Sequence, residues 1–189
     1  SDANNCSSLL LTNLDRASQL IQSFKDIAVD QTSEAVRDVN LVAYLEEVLV
    51  SLQPKFKRIN HKVIISGDRS LTIHCRASAI SQIYTNLILN SLSHAFPTTN
   101  TGEMEFIFSH DEKNISIIYR DNGDGVSAES LDRLFEPFYT TKRGQGGSGL
   151  GTHIMYNLVT QALNGNIRAE SKPGQGLTYY INFPIPEAP

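Results

Sequence analysis

Asn86, Asn90 and His94 stand four residues apart in the run Asn86-Leu-Ile-Leu-Asn90-Ser-Leu-Ser-His94. On a helix that spacing stacks them on one face and leaves Ile83, Leu87, Ile88 and Leu92 for packing. Polar side chains on an otherwise apolar helix need partners. Amide oxygens suit Mg²⁺, which keeps several waters and takes few protein ligands beside phosphate groups. The carbonyl of Asn90 fits that duty, although the stripe alone reads equally well as a solvated helix face.

Three further segments carry matching chemistry. Asp121-Asn122-Gly123-Asp124-Gly125 follows a strand-like run. A carboxylate at a strand end can accept a hydrogen bond from an exocyclic amine such as that of adenine. Gly123 and Gly125 would let the backbone come close to a flat ring. Any surface turn has a similar composition, so this signal is weak by itself. In Leu134-Phe135-Glu136-Pro137-Phe138-Tyr139-Thr140-Thr141-Lys142, aromatic residues around Pro137 would anchor a loop, and Lys142 offers a point charge for phosphate. Gly144-Gln-Gly146-Gly147-Ser148-Gly149-Leu150-Gly151 opens a helix. Bare backbone N–H groups before a helix start are what a phosphate cradle needs. It is the strongest of the four on physical grounds.

The elements that must position these residues can be read from periodicity. Leu10, Leu14, Ala17, Ile21, Phe24 and Ala28 recur in steps of four and three, which predicts a seam helix over 8–30. Such a helix needs a partner to cover the seam, unless it docks on its own domain. Residues 31–38 read as a polar joint. Beyond it, helices are expected over 40–53, 76–96 and 149–163. Strands are expected over 62–66, 71–75, 103–109, 114–120, 167–170 and 177–183, with Gly67-Asp68 resembling a hairpin turn between the first two. The pattern predicts an α+β domain: a two-layer sandwich in which a mixed sheet is covered on one face by helices.

Composition restricts what the domain can do. The chain has 189 residues, 40% of them hydrophobic and 19% charged, which suits a folded domain plus an appendage. A net charge of −4 argues against a nucleic-acid surface, so phosphate binding must be local. Cys6 and Cys75 lack metal-ligand spacing and read as idle thiols in a reducing compartment. There is no apolar run of membrane-spanning length. Ser1-Asp2-Ala3 reads as a cloning remnant ahead of a helix already under way, so a longer parent is expected.

The four segments, in this order, resemble the N, G1, F and G2 boxes of the sensor histidine kinase ATP-binding domain. Gly174-Gln-Gly176-Leu-Thr178 resembles the closing glycine motif of the same family. The likeness covers residues 38–186 and implies a Bergerat-type ATP-binding fold over 38–189. It also implies that 1–37 supply the second helix of a dimerisation and histidine-phosphotransfer bundle, plus a joint. Residue by residue, it implies Mg²⁺ on Asn90, with Asn86 and His94 lining the phosphate side. Asp121 would bond the adenine amine, aided by Gly123, Gly125 and, through water, Thr178. Phe138, Thr141 and Lys142, with the backbone of Gly147, Ser148, Gly149, Leu150 and Gly151, would close over the nucleotide.

Hydrolysing members of the wider superfamily carry Glu where this chain has Asn86. An amide cannot take a proton from water near neutral pH, which favours transfer to a bound acceptor. Asn90 and Lys142 would be the catalytic pair. The resemblance further implies ATP as substrate, a phospho-accepting histidine helix outside this chain, a response regulator downstream, and a homodimer formed through the bundle helix. The domain is expected on the cytoplasmic side, in a parent that is either anchored in a membrane or free of it. An ATP-hydrolysing conformational switch and a non-catalytic docking module are the alternatives. Ser109-His110-Asp111-Glu112 superficially resembles a phosphorylation box but reads as a polar hairpin turn. His61, His74 and His153 read as structural.

Overall fold

A computed structural model describes residues 36–56, 61–96, 101–141 and 148–185. The expected seam helix, Lys142 and Gly147 lie outside the described residues. The first described element is strand β1 (Arg37–Asn40), whose first two residues fall in the stretch expected to be a joint. Helix α1 (Leu41–Phe56) follows at once, and Asn40 caps it by accepting the Ala43 N–H at 2.8 Å. Pro54 lies within its last turn rather than beyond its end. The carbonyl that Pro54 leaves without an amide partner belongs to Val50, an exposed residue, so water can meet it.

Strands β2 (Lys62–Gly67) and β3 (Thr72–Cys75) do not form the hairpin expected of them. β3 pairs antiparallel with β1, whereas β2 runs parallel to β4 (Glu103–His110). The turn between them is committed elsewhere: the Asp68 N–H donates to the Phe108 carbonyl of β4 at 2.8 Å. Asp68 Oδ1 also accepts from the Ser70 N–H and hydroxyl, which sends the chain away from β2.

β5 (Asn114–Asp121), β6 (Asn166–Ser171) and β7 (Leu177–Pro184) complete a mixed five-stranded sheet in the order β2-β4-β5-β7-β6. Between β4 and β5, Asp111 Oδ1 accepts the Lys113 and Asn114 N–H groups and closes a hairpin turn; His110, expected within that turn, is the last residue of β4, paired with Ile115. One face of the sheet is buried through alternate residues, including Phe106, Phe108, Ile117, Tyr119, Tyr179 and Ile181. Helix α2 (Ala77–Asn90) lies over it. Tyr84 of α2 meets Phe106 edge-on at 5.7 Å, and its hydroxyl donates to the Leu41 carbonyl at 3.1 Å, tying sheet, α2 and α1 together. Truncating a fully buried ring such as Phe106 to alanine would cost about 3–5 kcal/mol. The other face is polar, with pairs such as Arg120–Glu105 at 2.6 Å. The expected two-layer α+β architecture is the one observed.

Short helix α3 (Ala128–Asp132), capped by Ser127, was too brief for its periodicity to be read. Helix α4 (Gly151–Asn157) carries the glycine-rich segment into the core. Both α2 and α4 widen at their ends into π turns, Ser91–Ala95 and Leu158–Ala162, where unbroken α-helix was expected. At the end of the first, the Ala95 carbonyl is taken by the Asp124 N–H at 2.9 Å, joining the helix end to the loop after β5. Such bulges concentrate at functional sites.

Candidate functional site

β5 ends on Asp121, directly beneath the first π turn. The side chain is 7% exposed and lines a cavity of about 500 Å³ between α2, the loop after β5 and the start of α4. Its Oδ2 accepts the Ser91 hydroxyl at 2.7 Å, and its Oδ1 accepts the N–H groups of Gly123 at 3.0 Å and Leu177 at 3.2 Å. Behind Ser91, the buried Tyr119 hydroxyl donates to Ser91 Oγ at 2.6 Å. Burial raises the Asp121 pKa above the ordinary carboxylate range, and the hydrogen bonds from Ser91, Gly123 and Leu177 oppose that rise.

Farther along α2, Asn86 and Asn90 line the same cavity, one helical turn apart as expected. Their Nδ2 atoms are buried and have no hydrogen-bond partner among the described residues. Gly151, the first residue of α4, fits against them: a Cβ there would lie 3.1 Å from Asn86 Oδ1 and 3.5 Å from Asn90 Oδ1. Asn86 to Ala95 spans roughly 13 Å of helix at 1.5 Å per residue. The cavity therefore runs along α2 and its π turn, with the amide pair on the helix and the carboxylate against Ser91 on the turn.

His94, Thr141, Ser148 and Gly149 also line the cavity. Gly125 lines it too, but its conformation serves another purpose. At φ 65° a Cβ would lie 2.2 Å from the Lys172 carbonyl, so the residue interlocks two loops. Gly123 is outside the cavity wall, where a Cβ would meet Ala95 at 2.4 Å. Phe138 also falls outside. Its ring is 49% exposed, and its N–H donates to the Gly149 carbonyl at 2.8 Å, fastening the two roots of the segment between them. Leu150 packs into the core.

Thr178 is a correction. It pairs with Arg120 and Glu170 and lies on the face of β7 opposite the buried Tyr179, so its side chain is turned away from Asp121. Leu177 takes the cavity position instead. A shift of one residue along a strand exchanges its faces.

Residues 75–187 match the sequence profile of the histidine kinase-, DNA gyrase B- and HSP90-like ATPases, a span running from the end of β3 through β7. The chain belongs to this family. It is 31% identical over 151 residues to the signal transduction histidine-protein kinase BaeS of Escherichia coli (strain K12), covering 78% of this chain and 32% of BaeS. It is 27% identical over 178 residues to sporulation kinase A of Bacillus subtilis (strain 168), covering 93% of this chain and 28% of the kinase. The chain thus spans under a third of either relative. The catalytic domain of the histidine kinase ThkA superposes with a TM-score of 0.69 at 23% identity, over 80% of this chain and 96% of that one. Full-length ShkA in complex with AMPPNP gives 0.72 at 21% identity, over 90% and 36%. The fold is that of histidine kinase catalytic domains.

Within this family fold, Ser91, Tyr139 and Leu177 are among the cavity-lining residues that the sequence did not single out, and Tyr119 stands behind Ser91. Tyr139 lines the cavity with Arg133 stacked 4.4 Å from its ring centre, and its hydroxyl donates to Ser130 at 2.9 Å. Ser91 follows Asn90 directly, and that adjacency to the amide pair was the one local signal available. His153 is structural as expected: its Nδ1 donates to the Phe135 carbonyl at 3.0 Å, and Asn157 donates to its Nε2 at 3.2 Å. His61 packs on Phe96 at 4.5 Å, and burial lowers its pKa. Among the described residues, no helix is long and apolar enough to cross a membrane.

Proposed function

We propose that this chain is the ATP-binding catalytic part of a sensor histidine kinase. It would transfer the γ-phosphoryl group of Mg·ATP to a histidine on a bundle helix, for relay to a response regulator. The observation that carries the reading is one elongated cavity holding Asp121 and the unpartnered Asn86–Asn90 pair. Asp121 offers a buried, oriented acceptor for the adenine amine. The amide pair fits a hydrated cation and phosphate oxygens, because each amide presents an oxygen for the metal and an N–H for phosphate or metal-bound water. Mg²⁺ bound there would neutralise charge developing on the β- and γ-phosphate oxygens.

The chain's own residues then act mainly by positioning. Asn90 would hold the cation and Asn86 the adjoining oxygens. Lys142, directly after the cavity-lining Thr140 and Thr141, would sit on the γ-phosphate. The acceptor imidazole nitrogen forms the new P–N bond, the bond from phosphorus to the β–γ bridging oxygen breaks, and ADP leaves with that electron pair. The imidazole proton must go to a base on the acceptor helix. Asn86 stands where hydrolysing relatives carry an acid, so no group at that position can activate water. We assign 1–37 to the bundle helix and joint, and the parent to a homodimer that the helix forms.

Calorimetric titration with ATP and ADP, with and without Mg²⁺, tests the reading together with transfer from γ-labelled ATP to a supplied histidine helix. Saturable binding, label on the supplied helix and none on the chain alone are expected. Steady phosphate release without transfer would support a hydrolytic switch instead, and absence of nucleotide binding would overturn the reading.

A further inference from the structure

A carboxylate has about four lone-pair positions for hydrogen bonds. On Asp121 three are taken by protein donors: Gly123 and Leu177 N–H on Oδ1, and the Ser91 hydroxyl on Oδ2. The direction of the chain behind Oδ2 is fixed by its surroundings. Tyr119 is fully buried, and burial raises its pKa so far that it stays a neutral donor. Its proton points at Ser91 Oγ, so the Ser91 proton is left for Asp121. The two N–H groups on Oδ1 favour the ionised carboxylate as the receiving end.

We propose that Ser91, backed by Tyr119, is a positioning and specificity-determining residue of the nucleotide site. By filling one of the two Oδ2 positions, it leaves Asp121 a single acceptor directed into the cavity. That acceptor admits one N–H donor, the exocyclic amine of an aminopurine, and sets lone pair against lone pair with a ring that carries a carbonyl there. Ser91 touches no ligand in this scheme; it acts through Asp121. Without its hydroxyl, Oδ2 would have two open positions and the carboxylate would lose the donor that holds its plane. The inference rests on the ATP reading above and goes beyond it by naming what orients the adenine acceptor.

The test is a cycle between protein and ligand. The full chain would be titrated with Mg·ATP and with the corresponding purine riboside triphosphate, which lacks the 6-amino group. Wild type would be compared with Ser91→Ala, Tyr119→Phe and the double variant. Ser91→Ala strands the buried Tyr119 hydroxyl and so risks instability, whereas the double variant removes both hydroxyls and strands neither. Loss of a hydrogen bond to a charged acceptor predicts roughly tenfold weaker ATP binding in Ser91→Ala and in the double variant, with the amine-free analogue changed less than about twofold. Tyr119→Phe, which keeps the Ser91 donor, should show a smaller loss of the same selectivity, about threefold at most.

Equal weakening of both nucleotides would mean that Ser91 only supports the fold, and would overturn the proposal. Undiminished ATP binding in the double variant would overturn it as well. Both results leave the ATP reading intact. A wild-type chain that binds neither nucleotide would instead overturn the ATP reading, and this proposal with it.

Discussion

The two ends of the cavity are finished to different degrees. Around Asp121 the protein fills three of about four acceptor positions: Ser91, Gly123 and Leu177 donate to the carboxylate, and Tyr119 stands behind Ser91. Around Asn86 and Asn90 the opposite holds, since two buried amide nitrogens have no partner among the described residues. An unsatisfied buried donor costs about 1–3 kcal/mol, so the amide end carries an unpaired-donor cost in the free domain, whereas the cost at the carboxylate end is burial of its charge. On the proposed reading, the carboxylate end, which would take the base, is organised before ligand arrives. The amide end, which would take the phosphates, is completed by it.

Removing the finished end should have the largest consequence. Asp121→Ala deletes the acceptor and strands the Ser91, Gly123 and Leu177 donors around it. ATP affinity is expected to fall on the order of 100-fold, with loss of stability of the free domain. Calorimetry and thermal melting check both. Retention of wild-type affinity would mean that the carboxylate end does not hold the base.

The amide end should respond with opposite signs. Asn90→Leu keeps the branched heavy-atom outline at a somewhat larger volume and removes an unpartnered polar group, so the free domain should gain about 1 kcal/mol, or 2–4 °C in Tm. Nucleotide binding in Mg²⁺ should weaken roughly tenfold, with little change when Mg²⁺ is absent. A fall in Tm would show that the Asn90 amide is satisfied in the free protein, and the contrast between the two ends would fail.

The sequence revealed the amide end more fully than the base end, for a physical reason. Asn86 and Asn90 are four apart on one helix, so local periodicity alone puts them together. The helix layer and the sheet were legible on the same principle, through alternation in residues such as Phe106, Phe108, Ile115 and Ile117. The base end is built across the fold. Ser91 meets Asp121 from 30 residues away and Leu177 from 56, contacts that no local pattern encodes. Thr178 was misplaced for a related reason: it is the polar residue of the pair, but strand register turns Leu177 inward. The false hairpin between β2 and β3 had the right turn residues, yet a bond from Asp68 to β4 decided the pairing. The π turn that brings Ser91 to the carboxylate leaves no mark in a run that reads as helix throughout.

Gly151 lies where α4 meets the amide pair, and a substitution there sets two small effects against each other. An added Cβ would come 3.1 Å from Asn86 Oδ1, so the amide must give by a few tenths of an ångström. Against this, alanine gains about 0.5–1 kcal/mol over glycine within a helix, and less at its first position. Gly151→Ala should therefore leave Tm within about 2 °C of wild type. It should weaken Mg·ATP by about threefold, because on the proposed reading the displaced amide would meet the phosphates. A stability loss much larger than this would mean that α4 cannot move against α2, and that the amide end is as closed as the carboxylate end.

The smallest expected effect is a difference in slope with pH. Burial raises the folded Asp121 pKa above its unfolded value. Below the ordinary carboxylate range both states are protonated, and the group contributes nothing. Between the unfolded and folded values the folded state holds a proton that the unfolded state has released, so stability declines as pH rises through that window. Above the folded value the full penalty is in place. Binding must run the other way, because an aminopurine donates to the ionised carboxylate, and acidification removes the acceptor. As pH falls through the window, the free domain should gain stability from Asp121 while its preference for ATP over the amine-free analogue shrinks. The ratio of the two affinities cancels the titration of the phosphates, which both nucleotides share. Asp121→Asn should flatten the trend in stability and that in preference. Preference that rises with acidification would mean that a protonated Asp121 donates to the base, reversing the direction assigned to the Tyr119–Ser91–Asp121 chain.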